Sequence, residues 1–542
     1  MAIGQTPRSG TDAVPGNREV QEARGGWFRD PVLWGLCLWG AFVAALGFPP
    51  GPVWPLALVA PAPLWASSVG GSPGRAFSRG WAYGAGFFGC LLWWIVPTVV
   101  RYGGLPWAAG GACLVLLAGY LALYPAAGAA AVAAASRRSP AGALVLAPFL
   151  WVGLEGLRGS LLTGFPWGDL PQALWQQPWA LALAPWVGIE GVRLWTATLA
   201  SASAWGLLRW GNRVPAGAAP LGLAVGTCAV SLVLWLLPPP LPPEQGRLRA
   251  AVIQGNIEQA QKWDPAFRQA TLGTYAELSR LAARSEPDLY VWPETAVPLY
   301  AQDPSPERSG LEALARELGA PLIFGAPAYE RGEDRVEYRN AVFVMAPSGR
   351  LLGRYDKVHL VPFGEYVPFG RYLPFLDKLV AGAGDFTSGR AVEPLPPTEG
   401  LPTLGALVCF EVIFPSLAGE LARRGAQVLV VVTNDGWFGR TPGPYQHLAF
   451  GAWRAAEAGV PLLRAANTGV SAVFDARGRL LQASALQVAD VLAAEVSYGA
   501  PHRTPQHRIR PLVWPGCLVL ALLALFAMVW SLRAPGGPDP HR

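Results

Sequence analysis

The chain holds six cysteines, five histidines and only three lysines against 39 arginines, so each rarer reactive side chain can be weighed singly. Cys37, Cys90, Cys113, Cys228 and Cys517 lie in apolar stretches, where a small apolar thiol needs no explanation. Cys409 stands apart. It ends the strand-like run Leu404-Gly-Ala-Leu-Val408 and precedes Phe410-Glu411 and a helix start at Pro415. Burial in the strand reads as core. Its place at the strand's end reads as a nucleophile on a turn whose backbone N–H groups can bind an oxyanion. A thiol nucleophile needs a base. His502 and His507 approach the last apolar segment and His541 lies in the tail, which leaves His359 and His447, neither with an obvious carboxylate partner. Carboxylates are better placed. Glu294 follows the run Leu289-Tyr-Val-Trp292 behind a stiff proline, as a positioned base or as a helix-start charge. Glu365, in Val361-Pro-Phe-Gly-Glu-Tyr366, is a lone carboxylate in an apolar loop and is costly there unless partnered. Where Arg serves almost every positive charge, a lysine marks either a need for a compact ammonium or a surface charge. The three are Lys262, Lys378 and Lys357, the last just after a strand. There is no His-x-x-His or Cys-x-x-Cys, and no phosphate-loop pattern opens a helix in the second half, so no metal site is expected.

The elements that must position these groups fall into two halves. The chain has 542 residues, 52% hydrophobic and 14% charged, and 57 of its 78 charged side chains lie beyond residue 246. That composition excludes disorder and a single soluble globule. A net charge of +6 without any basic run argues against a nucleic-acid partner. Apolar segments near 32–48, 50–68, 77–99, 106–134, 141–158, 180–207, 216–237 and 511–532 each approach the ~20 residues that cross a bilayer, so eight spans are expected. Arg75, Arg79, Arg137, Arg138, Arg209 and Arg213 fall in alternate loops, which puts the N-terminus in the cytoplasm and residues 244–508 outside. The divisions expected are a tail at 1–25, a seven-helix bundle at 26–243, a globular domain at 244–508, an eighth span at 509–533 and a tail at 534–542. Glu155, Arg158, Glu190 and Arg193 sit in or beside apolar helices, as paired structural charges or as a wall of a headgroup pocket. After the stiff linker Pro238-Pro-Pro-Leu-Pro-Pro243, short apolar strands alternate with helices. This pattern reads as an α/β domain whose chemistry sits at strand ends.

Several longer stretches are specific: Val252-Ile-Gln-Gly-Asn-Ile257 with Lys262-Trp263, Trp292-Pro-Glu-Thr295, Tyr355-Asp-Lys-Val-His-Leu-Val-Pro-Phe-Gly-Glu-Tyr366, Gly384-Asp-Phe386, Cys409-Phe-Glu411, Thr433-Asn-Asp-Gly-Trp-Phe-Gly439, Pro444-Tyr-Gln-His447 and Arg464-Ala-Ala-Asn-Thr-Gly469. With Glu294, Lys357 and Cys409 in that order, the second half resembles the nitrilase, or carbon–nitrogen hydrolase, superfamily. Phe48-Pro-Pro50, Glu155-Gly-Leu-Arg-Gly159 and Thr163-Gly-Phe-Pro-Trp167 extend the resemblance to its membrane-bound branch, the bacterial apolipoprotein N-acyltransferases. Gly168-Asp-Leu-Pro-Gln172, Val460 and Phe410 depart from the family pattern, and none of them touches the triad.

The resemblance implies an α-helical membrane bundle with an αββα sandwich, placed in the bacterial inner membrane with the sandwich on the periplasmic side. It implies acyl transfer from a phospholipid, phosphatidylethanolamine in the family, through a Cys thioester to the α-amine of a diacylglyceryl apolipoprotein. Glu294 would be the base, Lys357 the oxyanion stabiliser and Cys409 the nucleophile. Supporting roles fall to Glu365, Phe410, Glu411, Trp437, Asn434 and Asn340, with the loop Phe363–Leu376 meeting acyl chains. No cofactor is needed, and a monomer is expected. Two rivals are an amidase using water as acceptor, which leaves the spans without a purpose, and an inactive scaffold, which predicts a damaged triad.

Overall fold

The computed structural model describes residues 30–214, 218–262, 264–332, 335–368 and 386–530. All eight apolar segments contain helix, but not all as single crossings. Four described helices are long and apolar enough to span a bilayer: Trp107–Ser136, Pro140–Arg158, Ala219–Leu236 and Gln506–Trp530. Pro73–Leu91 and Ile95–Gly103 make a fifth if the pair, bent by 56°, counts as one. The first segment is a 17-residue helix, Asp30–Leu46. The second breaks into Trp54–Val59 and Ala62–Ser68, because prolines recur through it and prevent one continuous helix. The sixth, Ala184–Trp210, is interrupted at Gly188, whose φ of 67° and ψ of 177° only glycine adopts readily. The tails at 1–25 and 534–542, Lys378, Trp263 and most of the loop Phe363–Leu376 lie outside the described residues.

The second half is an αββα sandwich. One sheet has six strands in the order β11-β1-β2-β3-β4-β5 and the other five in the order β10-β9-β8-β7-β6. The strands are β1 (Glu244–Gln254), β2 (Leu289–Val291), β3 (Leu322–Arg331), β4 (Val336–Met345), β5 (Leu351–Asp356), β6 (Leu404–Val408), β7 (Val428–Thr433), β8 (Leu462–Ala466), β9 (Ala472–Phe474), β10 (Leu480–Ala483) and β11 (Asp490–Gly499). β6, β7 and β8 are parallel, and β7 is buried throughout, as its unbroken apolar run requires of a strand covered on both faces. Val252, Val291, Ile323 and Val342 of one sheet meet Val408, Val430 and Val432 of the other. Helices Arg268–Ala282 and Pro306–Leu318 cover the outer face of the first sheet. Helices Pro415–Arg423 and Gly443–Ala458 cover the second, and their apolar core continues into the helical bundle without a break.

Parallel pairing sets the ends of β6 and β7 level, Val408 beside Val432, so Cys409 and the Thr433–Asp435 segment emerge together. Antiparallel pairing brings Ala341 of β4 against Asp356 of β5. Lys357 therefore leaves β5 beside Asn340, whose carbonyl accepts its backbone N–H at 2.8 Å.

Candidate active site

Glu294, Lys357 and Cys409 leave β2, β5 and β6 and meet at one end of the sandwich. The Lys357 ammonium is buried. It lies 2.9 Å from Glu365 Oε2 and 3.9 Å from Glu294 Oε1. Burial alone would lower its pKa, but Glu365, Glu294 and Cys409 outweigh that and hold it above the ordinary lysine value. Asn340 joins the two carboxylates: its Nδ2 donates to Glu294 Oε1 at 2.7 Å and to Glu365 Oε1 at 2.8 Å. Glu294 Oε2 accepts the Asn434 backbone N–H at 2.8 Å. Glu365 Oε2 accepts the N–H of Val361. The lone carboxylate in an apolar loop thus has its partners.

Cys409 is half-buried and left-handed, with φ of 51°, and opens a 3₁₀ turn through Ile413. Such strain persists in a non-glycine residue only where its surroundings enforce it, and it concentrates at functional sites. Two buried acids enforce it here. Glu411 accepts from Val408 N at 2.8 Å, Val358 N at 2.7 Å, His359 N at 3.0 Å and the Tyr355 hydroxyl at 3.0 Å. One carboxylate therefore fixes the Cys409 turn to the segment bearing Lys357. Asp435 Oδ1 lies 2.9 Å from His447 Nδ1 and accepts from the Thr433 hydroxyl at 2.9 Å, while Oδ2 takes the Arg464 guanidinium at 2.6 Å. His447 Nε2 is 3.2 Å from the Cys409 carbonyl oxygen.

Electrostatics follow the same division. Burial, then the charge of Glu294, pushes the Cys409 thiol well up. Burial would raise Asp435, but Arg464 and His447 hold it at about 2. Burial, then Arg464, lowers His447. Burial and Lys357 bring His359 to about 4; its ring lies tilted against Phe414 and pairs with no carboxylate among the described residues.

The supporting residues divide by place. Asn340, Asn434 and Glu365 converge on Glu294 and Lys357, while Glu411 holds the backbone beside Cys409 and Lys357. Phe410 is buried between His359, Phe414 and Phe165 of the bundle. Trp437 stands at the rim, 37% exposed, edge-on to Tyr102 of the bent helix pair. One expectation is corrected: His447 does have a carboxylate partner, Asp435. The helix Gly443–Ala458 folds back over the turn that carries Asp435, and nothing in their spacing signals it. Asp435 and Arg464 lay within quoted motifs yet were not singled out. In the bundle, Arg158 pairs with Glu155 and also donates to the Trp167 carbonyl at 2.7 Å. Arg193 pairs with Asp169 at 2.6 Å rather than with Glu190. No group of three or more His, Cys, Asp or Glu that could hold a metal occurs among the described residues.

Residues 249–503 match the carbon–nitrogen hydrolase family model, which makes this a sandwich of that superfamily. Residues 40–202 match the apolipoprotein N-acyltransferase N-terminal domain. The chain is 41% identical to the apolipoprotein N-acyltransferase of Geobacter metallireducens over 84% of this chain and 87% of that one. It is 38% identical to that of Methylococcus capsulatus over 82% and 86% respectively. Among solved structures, a carbon–nitrogen hydrolase from Helicobacter pylori is 20% identical, with a TM-score of 0.37, over 50% of this chain and 95% of that one. The chain belongs to the apolipoprotein N-acyltransferase family: a membrane-protein transferase within the carbon–nitrogen hydrolase superfamily.

Proposed function

We propose that this chain moves a fatty acyl group from a membrane phospholipid, phosphatidylethanolamine by family resemblance, to the α-amine of an apolipoprotein's N-terminal diacylglyceryl-cysteine, through a thioester on Cys409. The observation that carries this reading is the meeting of Glu294, Lys357 and Cys409 from three strand ends. Glu294 takes the Cys409 proton, and the thiolate attacks the ester carbonyl. Lys357 and the backbone N–H of Phe410 hold the oxyanion. The tetrahedral adduct collapses, Glu294 returns the proton to the departing oxygen, and lysophospholipid leaves. The lipoprotein amine then attacks the thioester, Glu294 removes its proton, and the sulfur leaves and is reprotonated. A thioester yields to an amine more easily than the parent ester, so the acyl energy of the phospholipid suffices without a cofactor.

Asn340 and Glu365 hold the ammonium and the base in register, Asn434 orients Glu294, and Glu411 fixes the nucleophile's turn. Trp437 and Phe363, 37% and 50% exposed, face the acyl chains at the membrane surface. The Arg-rich alternate loops support a multi-pass inner-membrane chain working as a monomer. Its bundle covers 26–243, its periplasmic domain 244–508, and its last span 509–533. Incubation of purified protein with phospholipid alone tests the reading. The Cys409 peptide should gain the mass of an acyl group that hydroxylamine removes, and Cys409→Ala should lose both adduct and transfer. Transfer that survives Cys409→Ala overturns it.

A further inference from the structure

Lys262 ends the short helix Gln259–Lys262 that follows β1, and its side chain is 1% exposed. Nζ donates to the backbone carbonyl of Glu294 at 2.8 Å. That carbonyl belongs to a tight turn. Pro293 O accepts the N–H groups of Gly325 and Ala296, and Thr295 is left-handed at φ 48°. The Glu294 carbonyl thus takes its hydrogen bond from a charged side chain. Among the described residues no carboxylate lies within 4.0 Å of Nζ. An ammonium has been buried without an ion-pair partner, at a cost of several kcal/mol for any uncompensated buried ion. A neutral donor would satisfy a carbonyl without that penalty, so the position calls for the charge. Its shape matters too. In a chain that uses Arg for nearly every cation, the two described lysines, Lys262 and Lys357, both stand at this site, where a compact ammonium fits and a planar fork does not.

We propose that Lys262 is a positioning residue of the site: its ammonium clamps the Glu294 turn and supplies a second positive charge beside the negative charge that passes between Glu294 and Cys409. This rests on the acyl-enzyme reading above. The proton transfer from Cys409 to Glu294 conserves one negative charge, and a cation that faces both groups stabilises it in either place. Lys357 does this from the substrate side, held by Glu365; Lys262 does it from behind Glu294, held by a backbone carbonyl. The titratable groups that act on Lys262 are Glu294 and Cys409, both of which favour its charged form. Burial opposes them and brings the ammonium to about 7. The clamp is therefore charged in mild acid, and its charge, though not its hydrogen bond, is lost as pH rises through neutrality.

The test uses full-length protein in detergent, with phosphatidylethanolamine as donor. Lys262→Met removes charge and donor at similar volume; Lys262→Gln keeps a donor without the charge. Two rates are read across pH 5.5 to 9: acyl-enzyme formation, and alkylation of Cys409 by iodoacetamide located by peptide mass. For Lys262→Met, acyl-enzyme formation should fall by about 10- to 100-fold, the scale of a misplaced reacting group. The fall should appear in kcat with KM for phospholipid unchanged. The decline of the wild-type rate above pH 7 should be absent from both variants, and alkylation should slow in parallel. Lys262→Gln should recover part of the rate but not the pH dependence. Wild-type rates and wild-type pH profiles in Lys262→Gln would overturn the proposal, as would a kcat in Lys262→Met that matches wild type. If wild-type protein formed no acyl-enzyme, the acyl-transfer reading would fail while alkylation still decided the role of Lys262. A Met variant that does not fold leaves the decision to Gln, which retains the carbonyl's hydrogen bond.

Discussion

Replacing Lys357 by methionine separates the chemistry of the site from its stability. Nζ lies 2.9 Å from Glu365 and 3.9 Å from Glu294, and the three side chains are 1%, 11% and 8% exposed. Removing one partner of a buried ion pair costs about 3–5 kcal/mol, because the charge left behind has neither water nor a counterion. Asn340 keeps its two hydrogen bonds here, which places the expected loss near the lower end. For a sandwich of this size, that lowers the apparent unfolding midpoint by on the order of 10 °C. Adding Glu365→Gln removes one of the stranded charges and should recover more than half of the loss. Activity should behave differently. Losing an oxyanion donor costs roughly 10²–10³ in rate, and the second substitution restores no donor. The double variant should therefore be the more stable protein and still be inactive. Scanning fluorimetry in detergent gives the midpoints, and single-turnover acylation of Cys409 by phospholipid gives the rates. The pH window follows from the raised lysine. Its contribution is complete below the unfolded value of about 10.4 and is lost only in stronger alkali, so midpoint differences should be flat from pH 6 to 9. Near-normal acylation by the double variant, or an unchanged midpoint in Lys357→Met alone, would refute the reasoning.

Three further outcomes are expected. Cys409→Ser should be nearly as inactive as Cys409→Ala while remaining folded, since a hydroxyl is a far weaker acid than a thiol of pKa about 8.5 and any ester formed resists the amine; an active serine enzyme would show that thiol acidity is not the requirement. Asp435→Asn should lower the midpoint by about 3–5 kcal/mol worth of stability by stranding Arg464. Because Asp435 is held at about 2, its contribution is complete above the unfolded value of about 3.9 and is lost as pH falls toward 2. A wild-type advantage that persists unchanged at pH 2 would contradict this. A membrane-impermeant thiol reagent applied to intact spheroplasts should label a cysteine introduced at Arg477 and not one introduced at Arg138; the reverse pattern would invert the orientation.

The halves of the molecule and three ends of its strands were legible because their signals are local. A run such as Val428–Val432 is apolar at every position and β-branched at all but one, the mark of a strand covered on both faces. A reactive side chain at the end of such a run stands out even before any contact is known. What stayed hidden depends on register. His447 and Asp435 are 12 residues apart, and their hydrogen bond forms because helix Gly443–Ala458 turns back over the segment that leaves β7. Glu411 reaches Val358 and His359 across more than fifty residues by the same logic. In the bundle, Glu155, Arg158, Glu190 and Arg193 were expected as paired charges or a pocket wall. Glu155 and Arg158 do pair with each other, while Asp169 reaches Arg193 from a neighbouring loop. β10 and β11 were missed because they lie at the sheet edges and are little buried, β10 with no buried residue and β11 with only Leu492 and Val496 buried.

The bundle contributes directly to the site. Two indole N–H groups from the bundle, Trp94 and Trp167, donate to Gln446 Oε1 at 3.1 and 2.9 Å. The Trp167 ring stacks on His447, whose Nε2 faces the Cys409 carbonyl. Tyr102 and Thr98 hold the carbonyls of Gly436 and Trp437 at 2.8 and 2.9 Å. Helix Gly443–Ala458 is buried along its whole length, partly by sandwich and partly by bundle. A sandwich merely tethered to a membrane would have its own finished surface there, with polar groups turned to water. Here a buried glutamine and two indoles would each be left unsatisfied on separation, at about 1–3 kcal/mol per group. The left-handed turn of Cys409 would also lose the ring that packs behind its histidine. The geometry around Cys409 is thus set in part by residues that lie among the helices of the bundle, a coupling that the proposed bilayer-resident acyl donor calls for and an amidase taking water does not.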